Sequence, residues 1–367
     1  MQKQMCNGKI GTVDNKKEKI RLAVAGVVIG LCAFGLVCFG NPPNMGFCIA
    51  CFVRDIAGSL GLHSAAVVQY LRPEILGLVL GSFIISVLSG EFRSRGGSSP
   101  FTRLVLGFFV MVGALAFLGC PFRMILRLAG GDLNALVALC GFTAGIGGGV
   151  ILLNKGFSLG RSYKQPAAEG LTFPAVQIVL LVVLVAFPTL LVFSETGPGS
   201  KHAAIALSLA AGLIVGAMAQ KTRLCMAGGI RDTFLIGDWT LITGTAALFV
   251  TVLIANIISG KFNLGFEGQP VAHTDHVFNF LGMALCGLGS VMLGGCPLRQ
   301  LVLAGEGNTD SAVTVIGMLL GAAAAHNLGF AGVAGKGVPT AGRVAVIFGL
   351  VFCVLLGLLK IRKAKEA

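Results

Sequence analysis

The sequence predicts an all-α integral membrane protein, from its composition and from the order of its apolar segments. Of the 367 residues, 55% are hydrophobic and only 12% are charged, whereas soluble domains carry about 25% charged residues. Apolar segments follow one another almost end to end and leave no room for a soluble domain. The net charge of +13 comes from short basic clusters between these segments, a pattern that orients membrane proteins. We therefore expect the lipid bilayer as a partner, and no nucleic acid.

Ten segments are candidate membrane spans, because a spanning helix needs about 20 predominantly apolar residues. They are residues 21–39, 73–88, 104–118, 133–153, 173–193, 202–219, 239–259, 277–293, 311–330 and 343–359. Both chain ends are basic, which predicts that both termini are cytoplasmic and that the number of crossings is even. The loops agree with this prediction, since residues 93–103 are basic and would lie inside, whereas residues 260–276 are nearly neutral and would lie outside.

The two halves of the chain match each other at an offset of about 176 residues. The repeated landmarks are Cys48 with Arg54-Asp55 against Cys225 with Arg231-Asp232, Ser89-Gly90 against Ser259-Gly260, and Cys120-Pro121-Phe122-Arg123 against Cys296-Pro297-Leu298-Arg299. A single apolar segment, residues 173–193, separates the halves, so the second copy would enter the membrane from the opposite side. We therefore expect an inverted repeat of four spanning helices each, related by a pseudo-twofold axis.

This repeat divides the chain into five predicted parts. They are a basic cytoplasmic tail (1–21), the first membrane repeat (22–165), a linker transmembrane helix (166–200), the inverted second repeat (201–340), and a final transmembrane helix with a basic cytoplasmic tail (341–367).

Each half also contains two segments that are too short or too polar to cross a membrane. They are residues 41–60 and 120–132 in the first half, and residues 223–237 and 296–310 in the second. Such backbone is tolerated at membrane depth only where it is buried in protein or lines a polar cavity. We expect short re-entrant helices, the first two entering from outside and the other two from the cytoplasm.

Four of the eleven cysteines occupy matching places in the repeat, namely Cys48, Cys120, Cys225 and Cys296. A helix N-terminus or a nearby guanidinium can activate a thiol and supply donors to an anion, so these four are candidate substrate-path residues. The alternative is that they are small residues chosen for tight turns. The other seven cysteines have no counterpart and are expected to be packing residues.

Four repeat-matched arginines, Arg54, Arg123, Arg231 and Arg299, form a second candidate group. A basic residue at membrane depth is costly and is a functional candidate by default. An aspartate directly follows Arg54 and Arg231, so a neutralising ion pair and anion binding both stay open there. Arg123 and Arg299 have no equally close acid in the sequence, which favours contact with an anion.

Two further motifs are interpreted as structural. Cys48 and Cys51 form a CxxC, which could be a redox dithiol or half of a zinc site. However, the counterpart of Cys51 is Gly228, and no further ligands have a suitable spacing. We expect no metal, no cofactor and no catalytic residue. The glycines of residues 145–149 predict close packing between helices.

The paired turns resemble the YeeE/YedE family of bacterial inner-membrane proteins, which includes thiosulfate uptake proteins and a selenium-associated YedE branch. The turns are Gly46-Phe47-Cys48, Leu118-Gly119-Cys120-Pro121-Phe122-Arg123, Arg223-Leu224-Cys225-Met226 and Gly294-Gly295-Cys296-Pro297-Leu298-Arg299. The resemblance covers about residues 22–359, and the basic N-terminus is more similar to the YedE branch. It implies a multi-pass protein of the inner membrane in which Cys48, Cys120 and Cys296, with Cys225 as a fourth member, hand an anion along a central path through S–H hydrogen bonds.

The leading hypothesis is therefore a non-enzymatic transporter that imports a small sulfur- or selenium-containing anion, thiosulfate-like or a selenium species. A cytoplasmic sulfur or selenium carrier protein is a candidate partner. The alternative is a membrane thiol-disulfide oxidoreductase or a sulfur/selenium transferase, with Cys48 and Cys51 as a redox pair. The repeat argues against this alternative, because it would distribute the matched thiols over both faces of the membrane.

Overall fold

The structure, a computed structural model, describes residues 7–366 of the chain, with side chains described for residues 16–362. This part of the chain is helical apart from its loops, one short 3-10 turn and a two-stranded ribbon. The helices are α1 (Asn7–Cys38), α2 (Ile49–Ser59), α3 (Pro73–Leu88), α4 (Pro100–Ala116), α5 (Pro121–Ala129), α6 (Asn134–Asn154), α7 (Ala167–Ala186), α8 (Ile205–Thr222), α9 (Met226–Ile236), α10 (Thr240–Ile258), α11 (His276–Leu293), α12 (Pro297–Gly305), α13 (Thr309–Asn327) and α14 (Thr340–Glu366). The strands β1 (Arg95–Gly96) and β2 (Tyr163–Lys164) pair antiparallel.

Nine helical stretches within residues 7–366 are long and apolar enough to cross a membrane. The predicted class, an all-α membrane protein, is confirmed. The tenth predicted span corresponds to α3, which has 16 residues. At about 1.5 Å per residue, α3 is shorter than the hydrocarbon core of a bilayer, which is about 30 Å thick. The sequence therefore placed all ten spans on helices but did not distinguish the short one.

Each of the four segments predicted to be too short to cross contains a short helix. The helices are α2 and α9, of 11 residues each, and α5 and α12, of 9 residues each. Residues at the start of each short helix explain where that helix begins. Pro121 and Pro297 occupy the first helical position of α5 and α12, where a missing backbone N–H costs nothing. In α2 and α9 a cysteine side chain accepts a hydrogen bond from the first turn of the helix.

The long helices pack in pairs that join the two halves of the chain. Helix α1 packs along α10 and α8 packs along α3, while α6 packs along α11 and α13 packs along α4. Helix α4 also contacts α11. In every one of these pairs, one helix comes from each half. The two halves are therefore interlocked rather than placed side by side.

Glycines allow the close approach of α6 and α11. A Cβ atom at Gly141 would collide with the carbonyl oxygen of Phe280, and one at Gly145 would collide with that of Ala284. By contrast, Gly147 and Gly148 have no such neighbour within 4 Å. The prediction of close helix packing is thus confirmed for Gly145, on one face of the glycine stretch.

The pair formed by α13 and α4 uses the same arrangement. A Cβ atom at Gly317 would collide with the carbonyl oxygen of Leu104, and one at Gly321 would approach that of Phe108. These positions are related to the glycine contacts of α6 and α11 by the repeat offset of about 176 residues.

The loops gather at two ends of the helical bundle. At the first end, Arg72 donates to Pro198, Arg123 donates to Val271, and Asn327 donates to Leu62. At the second end, the contacts are Ser98 to Asp310, Gln220 to Glu91 and Lys360 to Ser99. Successive loops along the chain belong to alternate ends when α3 is counted as a crossing.

Candidate functional site

Cys48 and Cys120 form a buried thiol pair at the first end of the bundle. Cys48 precedes α2, and its Sγ accepts a hydrogen bond from the backbone N–H of Cys51 at 3.4 Å. Cys120 precedes Pro121 of α5, and its thiol is close enough to that of Cys48 for the two to interact. The first turns of two short helices therefore meet at this pair.

Cys225 and Cys296 form a second buried pair, with their Sγ atoms 3.5 Å apart. The Cys225 sulfur accepts hydrogen bonds from the backbone N–H of Gly228 at 3.2 Å and of Cys296 at 3.4 Å. A disulfide bond would bring the sulfur atoms to about 2.05 Å, so these are free thiols. The pair sits where α9 and α12 begin, as the first pair sits where α2 and α5 begin.

This arrangement changes the argument against a redox function. The sequence predicted that the matched thiols are distributed over two faces, and a redox dithiol needs two thiols within reach on one side. The two pairs do lie at two ends of the bundle, but the structure brings Cys225 and Cys296 together although they are 71 residues apart. The distribution over two ends therefore does not exclude a dithiol, because the two thiols of each pair meet within their own half.

Arg123 is fully buried beside the first thiol pair. Its guanidinium donates to the carbonyl oxygens of Asn44 at 3.2 Å and of Val271 at 3.2 Å, and also to that of Leu118. In the part of the chain that the structure describes, it forms no ion pair with a carboxylate, as the sequence predicted. Its charge is solvated by backbone dipoles and is not cancelled, so it leaves a positive potential near the thiols.

Arg299 differs from its repeat partner. Its Nη1 lies 3.0 Å from Oε1 of Glu306, in an ion pair of which both side chains are 13% exposed. Arg299 has no adjacent acid in the sequence, but the fold brings Glu306 to it. Glu306 lies just beyond the last residue of α12, seven residues after Arg299, so sequence proximity does not reveal this pair.

Arg54 and Arg231 each pair with the aspartate that follows them, with N–O distances of 2.7 Å to Asp55 and Asp232. Of the two readings left open by the sequence, the structure contains the neutralising ion pair at both positions. The two sites still differ in burial, because Arg54 is 2% exposed and Arg231 is 27% exposed.

Buried charged groups of the first end that had not been singled out from the sequence include Arg72, Arg127 and Asp132. Arg72 binds the second oxygen of Asp55 at 2.7 Å, and Arg127 binds Asp132 at 2.6 Å. The position that corresponds to Arg127 in the second half is Leu303, so a search for repeated arginines passes over it. A useful signal would have been the presence of two arginines and an aspartate in the short, otherwise apolar segment 120–132.

Cys51 also lies in the first site, although it has no repeat counterpart. Its Sγ is 3.6 Å from the carbonyl oxygen of Leu118 and 3.8 Å from Nη1 of Arg123. Of the other cysteines assigned to packing, Cys286 and Cys353 are buried, whereas Cys38 and Cys140 are exposed. Cys6 lies outside the described residues.

His273 fixes the loop that covers Arg123. Its Nε2 lies 2.8 Å from the carbonyl oxygen of Ala116, and its Nδ1 accepts a hydrogen bond from the backbone N–H of Asp275. Burial lowers the pKa of His273, so the ring is neutral and donates through Nε2. The loop that presents the Val271 carbonyl to Arg123 is therefore hydrogen-bonded to the last residue of α4.

These features define a class: a multi-pass α-helical membrane protein with buried thiol pairs at the starts of short helices. A protein-family model described as sulphur transport matches residues 221–361. The matched segment contains Cys225, Cys296, Arg231 and Arg299, and it does not include the first thiol pair. A search of the curated proteins finds no match for the chain. The match and the apolar helices together support a membrane protein of sulfur transport.

Proposed function

We propose that the protein is a bacterial inner-membrane transporter that imports a small sulfur- or selenium-containing anion. The path is lined by Cys48, Cys120, Cys225 and Cys296. The observation that carries this proposal is the presence of two buried thiol pairs, each at the converging starts of two short helices. One of them, Cys225 with Cys296, lies within the segment matched by the sulphur transport model.

The proposed architecture is an inverted repeat with both termini in the cytoplasm and with α2, α5, α9 and α12 as re-entrant helices. The helix pairs support it, because exchanging α1, α3, α4 and α6 with α8, α10, α11 and α13 converts each observed pair into another observed pair. The glycine contacts of α6 with α11 and of α13 with α4 are related in the same way. Inverted repeats with short interrupted helices near the midplane are typical of transporters.

The chemistry of the thiol pairs suits transient anion binding. The start of a helix offers unpaired N–H donors and the positive end of the helix dipole to an anion. In the structure the Cys225 sulfur accepts two backbone N–H groups, and a substrate sulfur or oxygen could take the same place. Thiol donors are weak, so such an anion is held without being trapped, as conduction requires.

Sulfur and selenium anions of similar shape and charge fit this chemistry equally well. Thiosulfate-like anions and selenium species are therefore both candidate substrates, and the selenium-associated branch of the YeeE/YedE family is the resemblance to test first. A cytoplasmic sulfur or selenium carrier protein would draw the anion inward by consuming it.

The second candidate function is a thiol-disulfide oxidoreductase, or a sulfur or selenium transferase. The observation that favours it is the distance of 3.5 Å between the Cys225 and Cys296 sulfur atoms. This candidate places the reacting dithiol in the second pair, rather than at Cys48 and Cys51 as the sequence suggested.

The transport proposal is tested by replacing single cysteines in purified protein reconstituted into proteoliposomes. We expect Cys120→Ala and Cys296→Ala to lower the uptake of labelled thiosulfate or selenite at least tenfold, which corresponds to about 1.4 kcal/mol. Cys286→Ala and Cys353→Ala are matched controls, because these residues are also buried cysteines, and they should transport as the parent does.

Equal uptake by all four variants, at equal amounts of folded protein, would remove the cysteines from the path. A different result would favour the second candidate: no uptake by the parent, together with reversible formation of a Cys225–Cys296 disulfide that is coupled to reduction of an added disulfide.

A further inference from the structure

A solvent-facing basic depression lies at the second end of the bundle. Its volume is about 240 Å³, large enough for a small hydrated anion. Its lining consists of Glu91, Arg93, Arg95, Arg223, Arg299 and Glu306. These residues come from the loop after α3, from strand β1, from the end of α8 and from α12 and its C-terminal turn.

The charges of this basic depression do not cancel. Its lining contains four guanidinium groups and two carboxylates. Glu306 is paired with Arg299 at 3.0 Å. Glu91 accepts a hydrogen bond from Gln220 at 2.7 Å, and Lys221 lies 3.8 Å from it. Among the described residues, Arg93, Arg95 and Arg223 form no ion pair with a carboxylate, so the depression carries excess positive charge.

Two of the arginines lie close in the sequence to the cysteines of the second thiol pair. Arg223 lies two residues before Cys225, and Arg299 lies three residues after Cys296. Arg223 has a left-handed backbone conformation, with φ of 55°. A residue with a side chain costs about 1 kcal/mol there, and glycine is the usual choice after a helix. An arginine at this position is therefore a costly residue whose side chain lines the depression.

The other two arginines are held in place by backbone hydrogen bonds. The N–H of Arg93 donates to the carbonyl oxygen of Glu306 at 3.0 Å, and the N–H of Arg95 donates to that of Gly307 at 3.3 Å. Arg95 also pairs with Lys164 in the β1–β2 ribbon. The backbone that carries these guanidinium groups is therefore preorganised, which lowers the entropic cost of binding a ligand.

We propose that the basic depression is a binding site for a small divalent oxyanion, placed beside the second thiol pair. Guanidinium groups present planar, paired N–H donors that match the oxygens of such an anion. Several of them around one cavity favour a divalent anion over chloride. Binding of the anion does not depend on the proposed transport function. The further statement that this site receives the transported anion beside Cys225 and Cys296 does rest on it.

The test uses the purified full-length protein in a neutral detergent, with isothermal titration of sulfate and selenate at constant ionic strength set with sodium chloride. We expect saturable binding. Arg95→Gln and Arg223→Gln should each weaken it about tenfold, or about 1.4 kcal/mol per site. Arg161→Gln is the matched control, because Arg161 is exposed in the loop that leads to β2 and does not line the depression. It should change the affinity less than twofold.

Thermal unfolding of each variant separates lost binding from lost folding, and Arg95 is the safer site because its backbone conformation is ordinary. The proposal is overturned if no saturable binding occurs, if Arg161→Gln weakens binding as much as Arg95→Gln, or if chloride competes as well as sulfate.

Uptake measurements distinguish this binding site from the proposed transport function. Sulfate binding that depends on Arg95, in a protein that transports no sulfur or selenium anion, would retain the site and reject the transporter. Transport without such binding would reject the site and retain the transporter.

Discussion

Among the described residues, four arginines are buried in the bundle, and their charges are compensated in three settings. Arg54 and Arg72 share the carboxylate of Asp55, and Arg127 is paired with Asp132. Arg123 relies on carbonyl oxygens. Removing one partner of a buried pair leaves an uncompensated charge and typically costs about 3–5 kcal/mol. The ion pairs are therefore structural, whereas the charge of Arg123 is stabilised by carbonyl oxygens instead of a carboxylate.

Charge at Arg123 should matter more than the shape of its side chain. We expect Arg123→Lys to keep part of the uptake per folded molecule and Arg123→Gln to lose most of it, about tenfold or more. Both variants should be less stable than the parent, because neither can make all the carbonyl contacts. The measurement is uptake in proteoliposomes divided by the amount of folded protein. Unchanged uptake per folded molecule in Arg123→Gln would assign Arg123 to structure alone.

At the scale of elements, the pairs α6–α11 and α13–α4 come into close backbone contact at glycines. Gly141 and Gly145 place α6 against carbonyl oxygens of α11, and Gly317 and Gly321 do the same for α13 and α4. Such contacts are typical of membrane helices, where lipid competes with apolar side chains and close packing provides the specificity. A methyl group at these positions has to push two helices apart.

Alanine substitutions on the two faces of α6 should therefore change the free energy of unfolding differently. We expect Gly145→Ala to destabilise the protein by about 1–3 kcal/mol through overpacking, and Gly321→Ala to do the same at the related contact. Gly147→Ala is the control on the open face of α6, and it should be neutral or stabilising by up to about 1 kcal/mol, since alanine favours helices. Thermal unfolding in detergent, followed by circular dichroism, measures all three. Equal melting temperatures for Gly145→Ala and Gly147→Ala would contradict the packing argument.

At the scale of the whole molecule, the two halves are interlocked and the loops divide between two ends. The inverted arrangement proposed above makes a directional prediction, because one end must face the cytoplasm and the other must not. The basic loops, including the one that holds Arg93 and Arg95, belong to the end assigned to the cytoplasm by the positive-inside rule.

Labelling of introduced cysteines tests this orientation. A membrane-impermeant thiol reagent applied to spheroplasts, whose outer membrane has been removed, should label Glu267→Cys, in the loop between α10 and α11. It should label Ser158→Cys, between α6 and α7, only after lysis, with labelling of the parent chain as the background. The reverse result would invert the orientation. Labelling of both from outside would contradict the alternation of the loops.

Much of this structure follows from local features of the sequence. Apolar length determined the helices, the prolines at the start of α5 and α12 determined where these two helices begin, and the capping cysteines before α2 and α9 determined where those two begin. The tertiary structure alone decided the partners: Cys225 with Cys296, Arg72 with Asp55, Arg299 with Glu306, and the four arginines of the basic depression. The physical reason is that helix formation depends on neighbouring residues, whereas a thiol or a guanidinium acquires its partner from whichever segments the packing of the helices brings within a few ångströms.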